Sequence, residues 1–392
     1  MEKRIKLLDQ VRSSSEVHPV CCLLGPRQAG KTTLAYMFAD KYYKDDFEVF
    51  DLEDPTSLTR LENPVLAFGQ VQKKLIVIDE IQRSPELFPV LRVLVDDPSN
   101  KHKFLILGSA SRDLLQQSSE TLAGRIGYVE VMPFSIEEVD DINKLWLRGG
   151  FPRSYLASDN DHSVIWRKNY IKTFLEQDIP SLGFQVPPMQ LRRFWLMLAH
   201  YHGQILNASE IGRSLSISYH TVKRYIDILT STFMLRTLQP WFENISKRQV
   251  KSPKIYFKDS GILHTLLSVE TSDQLYNNPK VGASWEGFAL EQVVRCLDVD
   301  SNECFFWSTQ SDAEIDLMVT KNGKRVGFEF KYGDAPKPTK SMRIALKDLG
   351  LDFVFVINPS DKSYLLDDKI AVCGLERFPQ IIERYLSKRS SG

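Results

Sequence analysis

Cysteine is scarce in this 392-residue chain: Cys21, Cys22, Cys296, Cys304 and Cys373 lie mostly in apolar segments and show no metal-ligand spacing. That excludes a disulfide scaffold and a thiolate zinc site, and it suits reduced thiols. Net charge is missing too, because 50 Lys and Arg balance 50 Asp and Glu. Global attraction to nucleic acid or to a membrane surface is therefore not expected, and any such contact must come from local patches. No run reaches the ~18 apolar residues of a membrane span. The charged start Met1-Glu-Lys-Arg-Ile-Lys6 leads to no signal-type apolar region, and no internal repeat, low-complexity tract or heptad array stands out. A cytoplasmic protein is the expectation. What is present is 43% hydrophobic and 26% charged, enough for two or three cored domains.

The most informative segment is Gly25-Pro26-Arg27-Gln28-Ala29-Gly30-Lys31-Thr32-Thr33, directly after the apolar run Val20-Cys-Cys-Leu-Leu24. It fits G-x-x-x-x-G-K-[ST], in which a glycine-rich turn aims backbone N–H groups at nucleotide phosphates, Lys31 reaches the β/γ-phosphates and Thr32 ligates Mg²⁺. Leu34 to Asp40 continues as a helix, so the loop gains the positive helix end. A second signal is the apolar strand Leu75-Ile-Val-Ile78 ending in Asp79-Glu80. Asp79 would hold the metal through water and Glu80 would activate the hydrolytic water. ATP and Mg²⁺ are the expected cofactors.

Phe47 to Leu52 and Phe104 to Leu107 add two more apolar strands among helical stretches, which points to an α/β fold with a parallel sheet covered on both faces. Ligands collect at the carboxyl ends of such strands, where Asp51, Glu80 and Ser109 fall. Ser109 either senses the γ-phosphate and positions water, or caps the next helix.

Asp51-Leu-Glu-Asp-Pro55, Val77-Ile-Asp-Glu-Ile-Gln82 followed by Ser84-Pro85-Glu86-Leu87 and Leu91-Arg92, Gly108-Ser-Ala-Ser111, Leu122-Ala-Gly-Arg125 and Met132-Pro-Phe-Ser135 together resemble a branch of prokaryotic AAA+ ATPases, the archaeal-type ATP-binding proteins. These are typically joined to a C-terminal domain of unknown function that resembles restriction endonucleases. The resemblance covers nearly the whole chain. It implies a P-loop AAA+ domain with a helical lid over residues 1–180, in which Gly25 to Thr33 binds ATP, Asp79 and Glu80 serve metal and water, and Ser109 takes a sensor position where many AAA+ proteins carry Asn. Arg125 falls at the family's Gly-Arg. It either offers a guanidinium to a neighbouring subunit's γ-phosphate, which makes a homo-oligomer the expectation, or pairs with a carboxylate on the surface.

Residues 181–270 carry a helix-turn-helix pattern. Ser209 to Leu215, a turn at Ser216-Ile-Ser218 and Tyr219 to Leu229 place Ile211, Leu215, Val222, Ile226 and Leu229 inward. Tyr219, His220, Lys223 and Arg224 are left outside. Phe233 to Leu238 and Lys254 to Phe257 form a wing, with Lys247, Arg248 and Lys251 on its loop. A winged helix of this kind contacts either DNA or protein.

In residues 271–392, Glu314 to Val319 and Val326 to Lys331 alternate around the turn Asn322-Gly323. Alternation puts Glu314 and Asp316 on one face and Ile315 and Leu317 on the other; Glu329 and Lys331 lie opposite Phe328 and Phe330. Asp316 and Glu329 could then hold Mg²⁺ while Lys331 stabilises charge. The set resembles the PD-(D/E)XK nuclease pattern, with Glu286 as its upstream acid; charges on a solvated hairpin face are the alternative. Phe353 to Ile357 is a buried strand, Ala335 to Pro338 a loop, and Ser387 to Gly392 a frayed tail. Two functions fit: an ATPase coupled to DNA binding and cleavage, or an ATP-dependent switch or scaffold whose inactive nuclease-like domain binds a protein or nucleic acid.

Overall fold

The computed structural model describes residues 4–109, 118, 120–243, 249–310, 313–333 and 337–387. Ala110 and Ser111, Lys247 and Arg248 of the expected wing loop, Ala335 and Pro336, and the tail from Lys388 lie outside the described residues. The chain divides into two compact units at Pro133, residues 231–233 being counted with the first.

The first unit is built on five parallel strands: β1 (Val20–Gly25), β2 (Phe47–Asp51), β3 (Leu75–Asp79), β4 (Lys103–Ser109) and β5 (Ile126–Glu130), in the order β2-β3-β4-β1-β5. Strand β1 shows why its sequence is apolar throughout. Val20, Cys22 and Leu24 enter one core, while Cys21 and Leu23 enter the other. One face is covered by helices Ile5–Val17 and Lys31–Tyr43, through Leu8, Val11, Leu34, Ala35, Phe38 and Ala39. The other is covered by helices Pro64–Gln70 and Leu87–Asp96, through Ala67, Phe68, Leu87, Phe88 and Leu91. Each buried Leu, Val or Phe among them stabilises the fold by roughly 1.5–3 kcal/mol relative to exposure.

The second unit carries a mixed nine-stranded sheet. Its strands are β6 (Gln204–Ile205), β7 (Leu235–Pro240), β8 (Lys254–Phe257), β9 (Cys304–Ser308), β10 (Glu314–Lys321), β11 (Lys324–Phe330), β12 (Phe353–Asn358), β13 (Ser363–Asp367) and β14 (Ile370–Gly374). Their order is β13-β14-β12-β11-β10-β9-β7-β8-β6. Strands β7 and β8 are antiparallel, as a wing requires, but β7 also pairs in parallel with β9 through Gln239 and Pro240. Hydrogen bonding therefore runs on past residue 270. Helices Ala208–Leu215 and Tyr219–Ser231 meet at a tight corner, where Ser216 adopts a left-handed φ of 55° and a Cβ on Gly212 would lie 2.8 Å from the Ile217 carbonyl oxygen. Ser218 Oγ accepts from the Thr221 amide at 3.1 Å and starts the second helix.

The β10–β11 hairpin turns at Asn322 and Gly323, both at positive φ (52° and 76°), the conformation an Asn-Gly turn favours. Simple alternation fails at its other end. The register of β10 against β9 shifts between Ile315 and Met318, so Ile315 enters one core and Leu317 the other. The expectation that these two share a face is corrected: a β-bulge adds a residue and re-aims the side chains beyond it.

Candidate functional site

The phosphate loop of the first unit is formed by the chain between β1 and helix Lys31–Tyr43. Gln28 and Gly30 both take positive φ, 61° and 92°, which curls successive amides toward one concavity. Gly30 N-caps the helix without a side-chain bond, so the first-turn amides keep free donors for an anion. A Cβ on Gly25 would lie 2.1 Å from the Val131 carbonyl oxygen, so only glycine fits where the strand enters the loop. Arg4 braces the cradle, its Nη1 donating to the Ala29 carbonyl at 3.0 Å and its Nη2 to that of Met132 at 2.9 Å.

Within this cradle the buried Lys31 Nζ donates to the carbonyls of Gly25 (3.1 Å) and Pro26 (2.9 Å). Burial is the main influence on its pKa and pushes it down to about 8, against the pull of Glu80 and Asp79. Thr32 Oγ1 donates to Asp79 Oδ2 at 2.7 Å, joining the loop to the end of β3. Burial raises the carboxyls of Asp79 and Glu80, with Thr32 opposing the shift at Asp79 and Lys31 opposing it at Glu80. Glu80 sits at φ 56°. Its Oε2 accepts from Gln82 Nε2 and lies 3.9 Å from Arg27 Nη2. Ser109 ends β4 in register with Gly25, and its buried Oγ has no hydrogen-bond partner among the described residues.

These residues fit a Mg²⁺–nucleotide. An oxygen pair, Thr32 and Asp79, is already at hydrogen-bonding distance, a lysine stands at the loop, and Ser109 leaves a buried hydroxyl unspent beside it. Arg125 is placed elsewhere. It precedes β5, whose first residue Ile126 pairs with Val20, and its carbonyl accepts from the Val20 amide. The phosphate loop begins at the other end of β1, roughly 17 Å along a six-residue strand. The Arg125 guanidinium grips Asp96 through two hydrogen bonds of 2.6 and 2.8 Å. It lies at the opposite end of β1 from the phosphate loop.

A second cluster forms in the other unit, where the start of β10 and the end of β11 meet. Asp316 and Glu329 are buried neighbours, and Asp316 Oδ2 accepts from the Phe330 amide at 3.0 Å. Lys331 Nζ lies 2.9 Å from Glu329 Oε2. Glu286, on helix Val281–Leu297, reaches the same place and accepts from Tyr256 Oη at 2.6 Å. The four residues singled out in the sequence do converge. Lys254, at the start of β8, is the member the sequence did not disclose. Its Nζ is 3.5 Å from Asp316 Oδ1 and 3.7 Å from Glu286 Oε1, and it is ion-paired to Glu314 Oε1. Only 6% of the Lys254 side chain is exposed.

Burial by itself would lower the Lys254 pKa; Tyr256 and the carboxylates of Asp316, Glu286 and Glu314 overcome it and hold the ammonium well above the ordinary lysine range. Glu286 is raised to about 7, first by burial and then by Asp316, with Lys254 opposing. Burial and Asp316 raise Glu329 as well. The sequence offered this set for Mg²⁺. A lysine ammonium is seated among the oxygens, and among the described residues no group of three His, Cys, Asp or Glu side chains is arranged to hold a metal.

On the second helix of the corner, Tyr219, His220, Lys223 and Arg224 are exposed while Val222, Ile226 and Leu229 are buried. Lys223 Nζ stands 4.8 Å above the Tyr219 ring. Lys247 and Arg248 lie outside the described residues. Among the described residues, no helix is long and apolar enough to cross a membrane.

Comparison with known proteins adds three domain matches. Residues 17–140 match the family described as AAA domain, and residues 139–273 and 281–378 match two domains of unknown function, DUF8612 and DUF4143. Two uncharacterized proteins, one from Mycobacterium tuberculosis and one from Mycobacterium bovis, are each 48% identical over 354 residues, covering 90% of this chain and 79% of the relative. Among solved structures, a Walker-type ATPase of Pyrococcus abyssi is 15% identical with a TM-score of 0.48, covering 68% of this chain and 96% of that one. RuvB of Thermotoga maritima is 19% identical with a TM-score of 0.33, covering 60% and 90%.

Proposed function

Since the chain belongs to the family of its two mycobacterial relatives, whose members it matches over most of their length, and carries an AAA domain at residues 17–140, we propose that it binds and hydrolyses MgATP. The observation that carries this is the Thr32–Asp79 hydrogen bond beneath Lys31. When bound, Mg²⁺ would neutralise developing phosphate charge; Thr32 and Asp79 would hold it. The loop amides from Gly25 to Thr33 bind phosphate, and Lys31 exchanges its carbonyl partners for phosphate oxygens. Glu80 orients and deprotonates the attacking water once its contact with Gln82 is released. Ser109 Oγ hydrogen-bonds that water or phosphate. Arg125 acts on a neighbouring subunit, which makes the active form a homo-oligomer. Mg²⁺-dependent phosphate release that disappears in Lys31→Ala tests the proposal, and its persistence in that variant refutes it.

The exposed Tyr219, His220, Lys223 and Arg224 on a helix-turn-helix corner support a second element of the proposal: residues 181–270 are a winged helix that contacts DNA, and nucleotide state regulates that contact. Residues 271–392 are the nuclease-like part. With Lys254 among its carboxylates, this part serves binding, the switch reading, in preference to cleavage. Duplex binding by the full chain, measured with and without ATP, tests the coupling; absence of duplex binding in both states refutes it.

A further inference from the structure

The acid cluster of the second unit poses a problem of charge. Glu286, Glu314, Asp316 and Glu329 approach one another where two strand ends meet a helix, and uncompensated like charges at such range in a buried site are costly. A hairpin with this donor set would ordinarily draw a hard divalent cation. The structure answers otherwise. Lys254 enters from β8, a strand of the expected wing, and sets its ammonium against three of the four carboxylates. Lys331, from the end of β11, pairs with the fourth. Tyr256, two residues beyond Lys254 on the same strand, donates to Glu286 Oε1, the oxygen that also faces Lys254.

The position of Lys254 is built into the fold. Its neighbours Ile255 and Tyr256 are fully buried, and β8 is held on both sides by β7 and β6. The Lys254 Nζ stands 5.5 Å from the centroid of the Phe306 ring, and with 6% of the side chain exposed the ammonium is held away from solvent.

We infer that Lys254 is the resident cation of the Glu286–Glu314–Asp316 cluster, and that it excludes divalent metal from a hairpin otherwise composed as a metal site. The ammonium supplies one positive charge within 3.7 Å of Asp316 and Glu286, and a second cation in that space would face it at contact distance. The inference does not depend on ATP hydrolysis by the first unit.

The test is titration of the nucleotide-free full chain with Mn²⁺ alone, monitored by the electron paramagnetic resonance signal of free Mn²⁺. Wild type, Asp316→Asn, Lys254→Met and the double variant Lys254→Met/Asp316→Asn are compared. The expected result is no binding in the wild type that Asp316→Asn removes. Lys254→Met should gain one site at least about tenfold tighter, and the double variant should lose it. A folded Lys254→Met that gains no site overturns the inference. So does saturable wild-type binding that Asp316→Asn abolishes, a comparison that stands even where Lys254→Met fails to fold. ATP turnover, read in the same preparations, reports separately on the first unit.

Discussion

Thr32 Oγ1 and Asp79 Oδ2 lie 2.7 Å apart, and that hydrogen bond ties the helix after the phosphate loop to the strand that ends in the acidic pair. Two oxygens already in register need little rearrangement to share a cation, and pre-positioned ligands lower the cost of binding one. Thr32→Ala should therefore lose most of the gain that Mg²⁺ gives to nucleotide affinity, roughly tenfold or more, while metal-free nucleotide binding changes little. Fluorescent ATP titrations with Mg²⁺ and with EDTA measure both quantities. An unchanged Mg²⁺ effect in Thr32→Ala would remove Thr32 from the metal site.

Proton linkage provides a second prediction. Burial holds Lys31 down to about 8 in the nucleotide-free protein, whereas phosphate oxygens favour its charged form. ATP affinity should fall as pH rises through about 8, and binding near pH 8.5 should take up a proton. The sign for stability is the reverse. Between about pH 8 and the ordinary lysine range the unfolded chain binds a proton that the folded chain does not, so the contribution of Lys31 to nucleotide-free stability rises with pH across that window. Calorimetry in two buffers of different ionisation enthalpy counts the proton. A count of zero in the wild type, equal to that of Lys31→Ala, would contradict this.

Arg125 lies at the opposite end of β1 and β5 from the phosphate loop, where it pairs with Asp96. If it acts on a neighbour's nucleotide, specific activity should rise with protein concentration, and Arg125→Ala should lose about 10³-fold in turnover with little loss of ATP affinity. Asp96→Ala, which removes its partner, should keep most of the activity. Constant specific activity in a strict monomer would refute the role in trans.

The phosphate loop was legible because its chemistry is local: nine consecutive residues carry both the turn and the charges. The strands of the first unit were legible for a related reason, since burial on both faces leaves runs such as Leu75 to Ile78 without polar interruption. What the chain hides is tertiary register. Nothing near Arg125 tells that Ile126 pairs with Val20, and nothing near Ile315 announces the bulge that splits it from Leu317. Lys254 was hidden most deeply. Its strand reads as part of a wing, and its acidic partners Glu286 and Glu314 lie 32 and 60 residues later in the chain. A lysine opening an otherwise apolar strand, Lys254-Ile-Tyr-Phe257, was the one local hint, because a buried ammonium requires carboxylates somewhere. Arg4 escaped notice likewise, since its acceptors are carbonyls at residues 29 and 132.

Neutralising Lys223 and Arg224 together with Lys247 and Arg248 should weaken duplex binding and flatten its salt dependence, each lost phosphate contact removing roughly 0.9 from the log–log slope. Fluorescence anisotropy across a salt series reads both. An unchanged slope would place the nucleic-acid contact on another surface.

The central claim is that Gly25 to Thr33, with Asp79 and Glu80, binds and hydrolyses ATP. The most direct measurement mixes the protein with labelled ATP and Mg²⁺, isolates the protein-bound nucleotide and determines how much is ATP and how much ADP. Wild type should hold mainly ADP, Glu80→Gln should hold ATP that it fails to convert, and Lys31→Ala should hold neither. ADP on Lys31→Ala at the wild-type level, or conversion by Glu80→Gln at the wild-type rate, would contradict it.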